Sequence, residues 1–167
     1  MSIEELNSLS TDKAHEEFFK CCGSTTWVNQ LTGKKPFLNI EELIQSSDII
    51  WANCSEQDGI EAFTHHPKIG DLKNLEKKFI STKEWAGGEQ SGVNIATHDT
   101  LVALAEGNEA YEKKFGYIFI VCATGKTAEE MLALLNARLT NDTATELKIA
   151  MSEQNKITHI RLNKLIE

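Results

Sequence analysis

Tyr117-Ile118-Phe119-Ile120-Val121-Cys122-Ala123 is the one strand-like run in this 167-residue chain, and its reading decides the fold. β-Branched and aromatic side chains dominate it, which favours extended backbone. A lone strand has nothing to pair with, and even a single two-stranded hairpin is marginal in water. No second run of this kind occurs, so the stretch reads as a buried extended connector between helices.

Everything on either side of it has helical spacing. Ahead of the connector, Ile95, Leu101, Val102, Leu104 and Ala105 place a long helix up to Gly107, and a shorter one runs from Asn108 to Phe115-Gly116. Behind it, Thr124-Gly125-Lys126 makes a turn, and Thr127-Ala128-Glu129-Glu130 is a capping box for a helix carrying Met131, Leu132, Leu134 and Leu135. The last helix spans Thr143 to Leu165.

The N-terminal half repeats the pattern. Ser2-Ile3-Glu4-Glu5 is a capping box, Thr11 caps a second helix that stops at Gly23, and Ser24 to Leu31 makes a third. Asn39 opens a helix whose apolar positions run from Ile40 to Cys54, and Ser55 caps the helix that ends at His66. Leu72, Leu75 and Phe79 mark a further amphipathic piece, and Ser81 or Thr82 starts another up to Gly88. No repeat or linker interrupts the series. The expected fold is a single all-α domain over residues 1–167, a bundle of roughly eight to ten helices with one extended connector.

The net charge of −8 and a pI near 5.2 leave no clustered Lys and Arg for nucleic acid or an anionic membrane. An apolar fraction of 41% suffices for a core. The four cysteines, Cys21, Cys22, Cys54 and Cys122, form no CxxC pair and no zinc-type spacing, and read as reduced thiols. No segment is long and apolar enough to span a membrane. The start at Met1 does not look like a secretory signal, and Leu165-Ile166-Glu167 is no peroxisomal address, so the expected location is cytoplasmic.

Three places hold chemistry-bearing groups. Thr64-His65-His66-Pro67-Lys68-Ile69-Gly70 puts two imidazoles at a helix exit, and Pro67 takes His66 out of the helical conformation. A histidine there can transfer protons near neutral pH, though a half-exposed helix cap has the same sequence. Gly87-Gly88-Glu89-Gln90 opens a helix start whose free N–H groups can hold an acceptor oxygen, and Glu89 there equally suits the helix dipole. Arg161 falls within about 40° of the stripe formed by Leu147, Met151, Thr158 and Leu165, so it has a structural acid, a ligand carboxylate, or a stem reaching back to water. Ala123-Thr124-Gly125-Lys126-Thr127 lacks the first glycine of a phosphate loop, and no histidine has a second metal ligand at helical spacing.

Taken together, His66-Pro67-Lys68-Ile69-Gly70, Glu89-Gln90, Phe119-Ile120-Val121-Cys122-Ala123-Thr124-Gly125 and Ile160-Arg161-Leu162 resemble the OHCU decarboxylases, in order and rough spacing. These are the 2-oxo-4-hydroxy-4-carboxy-5-ureidoimidazoline decarboxylases of urate breakdown. The resemblance implies an all-helical, cofactor-free homodimer that carries out the third step from urate to allantoin, giving (S)-allantoin and CO2. It implies that His66 is the proton-donor histidine, Glu89 the catalytic glutamate and Arg161 the arginine near the ligand. Pro67, Gly87, Gly88, Gln90 and the main chain of Phe119, Ile120, Val121, Cys122 and Ala123 fall at substrate-binding positions. Ala86, also in that set, stands where the family often has serine, so a hydroxyl contact is missing there. The competing expectations are an acidic helical binding module whose His66 and Arg161 are structural, and a related ureido-compound hydrolase.

Overall fold

The computed structural model describes residues 1–66, 73, 75 and 98–167. Among them are eight α-helices and no strand: α1 Ile3–Ser8, α2 Thr11–Cys21, α3 Thr25–Thr32, α4 Ile40–Ala52, α5 Glu56–Thr64, α6 His98–Phe115, α7 Ala128–Leu139 and α8 Thr143–Leu165. The run 117–123 contains neither helix nor strand; Tyr117 and Ile120 are buried and the residues around them half-buried, so the connector reading of this stretch holds.

Local chemistry sets most boundaries. Ser2 with Glu5, Ser55 with Asp58 and Thr127 with Glu130 form reciprocal capping boxes, each satisfying two N–H groups that a helix start leaves unpaired. Several boundaries differ from the sequence expectation, α4 among them, which ends at Ala52 short of Cys54. Ser10 caps α2, its Oγ accepting from Lys13 N at 3.4 Å, so Thr11 is the first helical residue. That helix ends at Cys21, with Cys22 as its C-cap ahead of Gly23. α5 ends at Thr64, with His65 as its C-cap.

A further difference is that α6 runs unbroken through Gly107. A Cβ built on Gly107 would lie 2.6 Å from Leu135 Cδ2, so this glycine is a point of close approach between α6 and α7 and no helix stop. The true stop is Gly116, at φ +83°, whose N–H bonds Glu112 O at 2.8 Å. Gly125, at φ +75°, sits in the turn closed by Lys126 N to Ala123 O at 3.1 Å.

The chain divides into two compact units, one of residues 1–66, 120–122 and 147–167, the other of 67–119 and 123–146. In the first, Leu6, Phe18, Trp27, Leu31, Leu43 and Leu162 are fully buried in one apolar cluster. Trp51 Nε1 donates to Met151 O at 3.0 Å, tying α4 to α8. α5 lies close to α8 at Gly59, where an added Cβ would meet Met151 Cγ at 3.0 Å.

In the second unit, Phe115, Tyr117 and Phe119 pack tilted or edge-on against Tyr111, and the guanidinium of the buried Arg138 lies over the Tyr111 and Phe119 rings, 4.6 Å from the latter. Arg138 Nε donates to Glu146 Oε1 at 2.7 Å; the same carboxylate accepts from Tyr111 Oη at 2.5 Å and, at Oε2, from Asn141 Nδ2 at 3.0 Å. A buried charge is tolerable only when partnered in this way.

Candidate active site

His66 reaches its place through α5. The Ser55 capping box starts this helix, Gly59 sets it against α8, and its last turn tightens with His65 N on Ala62 O and His66 N on Phe63 O. The two histidines then part. His65 packs edge-on against Phe19, ring centroids 4.8 Å apart, and leans over Gly23, where an added Cβ would fall 2.6 Å from the His65 Cβ. It is a structural residue. His66 is half-buried and turns to α8, its Nε2 lying 2.5 Å from Gln154 Oε1.

Gln154 is fully buried, and its own amide is fixed from behind. Its Nε2 donates to Thr158 Oγ1 at 3.2 Å, and the Thr158 hydroxyl donates to Gln154 O at 3.0 Å. Seven residues, two helical turns, separate Gln154 from Arg161, so both lie along one face of α8. Arg161 Nη1 donates to Lys20 O and Cys21 O, each at 3.3 Å, across the C-terminal end of α2. Lone carbonyls at a helix end welcome a cation. No carboxylate among the described residues pairs with Arg161; among them its guanidinium is met by the two α2 carbonyls.

Burial holds the His66 imidazole below its ordinary pKa, and the nearby Arg161 and His65 push in the same direction, while Gln154 opposes them. The neutral ring therefore dominates at neutral pH. Cys21, Cys22 and Cys54 are not candidates for nucleophilic chemistry: burial pushes Cys21 and Cys54 up to about 11 and Cys22 to about 12. Among the described residues no group of three His, Cys, Asp or Glu side chains could hold a metal ion.

Of the residues singled out by sequence, His66 and Arg161 are brought to the same face of α8. Pro67, Ala86, Gly87, Gly88, Glu89 and Gln90 lie outside the described residues, as do the apolar positions Leu72 and Phe79 and the cap at Ser81 or Thr82. Leu75 is buried, as its place in that apolar pattern requires. Along the connector, Cys122 N–H donates to Glu153 Oε2 at 2.7 Å, so this N–H is committed to a carboxylate. Gln154 and Glu153 escaped the sequence reading. Gln154 sits four residues before Thr158 on the stripe that placed Arg161, and a buried amide on that stripe was the available signal.

Compared with known proteins, the chain matches the OHCU decarboxylase family model over residues 7–163. It is 34% identical over 157 residues to the uric acid degradation bifunctional protein TTL of Arabidopsis thaliana, covering 94% of this chain and 48% of that protein. The chain thus spans about half the length of that relative. It is 22% identical over 163 residues to the 2-oxo-4-hydroxy-4-carboxy-5-ureidoimidazoline decarboxylase of Haloferax volcanii, covering 97% of this chain and 94% of that one. The crystal structure of an OHCU decarboxylase in the presence of (S)-allantoin superposes with a TM-score of 0.72 at 36% identity, over 90% of this chain and 97% of that one.

Proposed function

The chain belongs to the OHCU decarboxylase family, and from that premise we infer that it decarboxylates 2-oxo-4-hydroxy-4-carboxy-5-ureidoimidazoline to (S)-allantoin and CO2 in the breakdown of urate. The observation that carries this reading is the pairing on α8 of a guanidinium lacking an acidic partner among the described residues with a largely neutral imidazole. One group can hold a carboxylate and the other can move a proton.

The substrate carries its own electron sink. When the bond to the carboxylate breaks, its electron pair passes into the adjacent ring C=N, whose nitrogen takes a proton from solvent. The hydroxyl then gives up its proton as it becomes the ring carbonyl, and the carbon bearing the ureido group receives one. A single chiral product requires that last proton to arrive on one face.

Arg161 fixes an anionic group of the substrate with charge-assisted hydrogen bonds. Glu89 orients the hydroxyl or takes its proton, and a neutral His66 accepts and returns a proton at its bare nitrogen. Pro67, Ala86, Gly87, Gly88, Gln90 and the main chain from Phe119 to Ala123 line the substrate in this reading. The chemistry calls for no cofactor. The protein acts in the cytoplasm as a homodimer, for which light scattering would return twice the 18.6 kDa of the chain.

The deciding test supplies the intermediate freshly from urate and follows the products. Release of CO2 faster than the spontaneous rate, without ammonia, is the expected result. Ammonia or a ring-opened product would transfer the chain to a hydrolase, and a rate equal to the blank would make it a binding module.

A further inference from the structure

We propose that Gln154 is a positioning residue that holds His66 as its Nε2–H tautomer and so makes Nδ1 the atom at which this histidine exchanges a proton. The inference rests on the proton-transfer role given to His66 above. Its footing is the hydrogen-bond chain on α8. A neutral imidazole has one donor and one acceptor nitrogen, and what faces each decides which is which. Gln154 presents Oε1, a pure acceptor, to His66 Nε2 at 2.5 Å, so that nitrogen carries the hydrogen.

Turning the amide over would require the Thr158 hydroxyl to give up its bond to Gln154 O. The amide Nε2 is held by Thr158 Oγ1, whose single proton is already given to Gln154 O, leaving the hydroxyl to receive. Both residues are buried, Gln154 at 0% and Thr158 at 2% exposure, so no bulk water competes for these bonds. A fully buried glutamine is expensive unless its polar atoms are used, and here the amide oxygen and nitrogen both are. Among the described residues, the charged or titratable groups acting on His66 are Arg161, from the same face of α8, and the neighbouring His65, whose ring packs on Phe19; the side-chain hydrogen bond that orients the His66 ring among them is the one to Gln154.

The experiment reads the ring nitrogens directly, by long-range proton–nitrogen correlation spectroscopy of the full chain labelled with nitrogen-15, above the titration of His66. The expected spectrum shows a protonated Nε2 and a bare Nδ1. A protonated Nδ1, or the mixture typical of a free imidazole, would overturn the proposal without touching the decarboxylase assignment, because no turnover is measured. Conversely, an inactive protein with the expected spectrum would leave the tautomer standing and remove the reaction.

Two variants separate positioning from packing. Gln154→Met, which fills the space but accepts no hydrogen bond, is expected to lose the single tautomer and to lower kcat by roughly tenfold to a hundredfold with little change in KM. Gln154→Glu keeps the acceptor and is expected to retain the Nε2–H form while moving the acid limb of the pH profile to higher pH, since a carboxylate favours the imidazolium. If Gln154→Met lowered only the melting temperature, with tautomer and pH profile unchanged, Gln154 would be a packing residue and the proposal would fall. Should that variant not fold, Thr158→Val serves in its place: it frees the amide to turn, and an undisturbed tautomer there would overturn the proposal equally.

Discussion

At the scale of the residue, the state of His66 makes a prediction that needs no substrate. Its folded pKa lies below the ordinary 6.5, chiefly because the ring is buried. A group depressed in this way contributes stability that is fully present above its ordinary pKa and is lost as pH falls through the lowered folded value. Melting temperature should therefore fall more steeply between neutral and mildly acidic pH in the natural protein than in His66→Gln. Parallel curves would show that His66 titrates as it does in an unfolded chain. Arg161 makes a second prediction. Its fork donates to two carbonyls of α2, and its charge has no acidic partner among the described residues. Arg161→Lys keeps the charge but loses the fork, and a hydrogen bond to a charged group is worth about 1.5–3 kcal/mol, so KM should rise tenfold or more with kcat less affected. An unchanged KM would leave Arg161 as a helix cap only. The residue scale is also where sequence reading reached its limit. His66 and Arg161 were legible because proline and the apolar stripe flag them, but the partner of His66 lies 88 positions away, and the place of Gln154 on that stripe announces its burial without naming His66 as its partner.

At the scale of the element, the helices were legible wherever their signals are local. The pairs Ser2/Glu5, Ser55/Asp58 and Thr127/Glu130 each lie three residues apart, and each turned out to be a reciprocal cap. Ser10 and Thr11 offer the same hydroxyl one position apart, and sequence does not separate them. Gly107 was misread for a related reason: a glycine that stops a helix and one that lets two helices touch look alike until the second helix is in place. The close approach can be measured. Gly107→Ala gains about 1 kcal/mol of helix propensity but drives a methyl against Leu135, so its net effect on stability should be small or unfavourable. In a Leu135→Ala background the same change should stabilise, and a coupling below about 0.5 kcal/mol in that double-mutant cycle would dismiss the contact. Gly59, which lets α5 approach Met151, joins element to site: Gly59→Leu should shift the helix that ends beside His66 and cost turnover more than stability.

At the scale of the whole molecule, the all-helical class followed from one decision, that Tyr117 to Ala123 has no partner strand, and the described residues contain none. What sequence could not supply was the polar centre of the second unit. Tyr111, Arg138 and Glu146 come from three helices, and the Glu146 carboxylate is wholly buried. Removing one member of a buried ion pair strands the other, so Arg138→Ala should cost about 3–5 kcal/mol in denaturant unfolding. A loss below about 1 kcal/mol would mean that Glu146 had simply taken up a proton. The expectation of one domain over residues 1–167 is tested by the same data: a single transition seen by every probe fits it, and separate transitions for the two compact units would contradict it.

The central claim concerns the product. The measurement that tests it most directly generates the labile intermediate in place from urate, with urate oxidase and hydroxyisourate hydrolase, and follows circular dichroism with and without this protein. Spontaneous decay gives racemic allantoin and no lasting signal. The account predicts the rapid appearance of a persistent (S)-allantoin signal, abolished in His66→Gln while the fold is retained. A signal that decays as it does in the blank would contradict it.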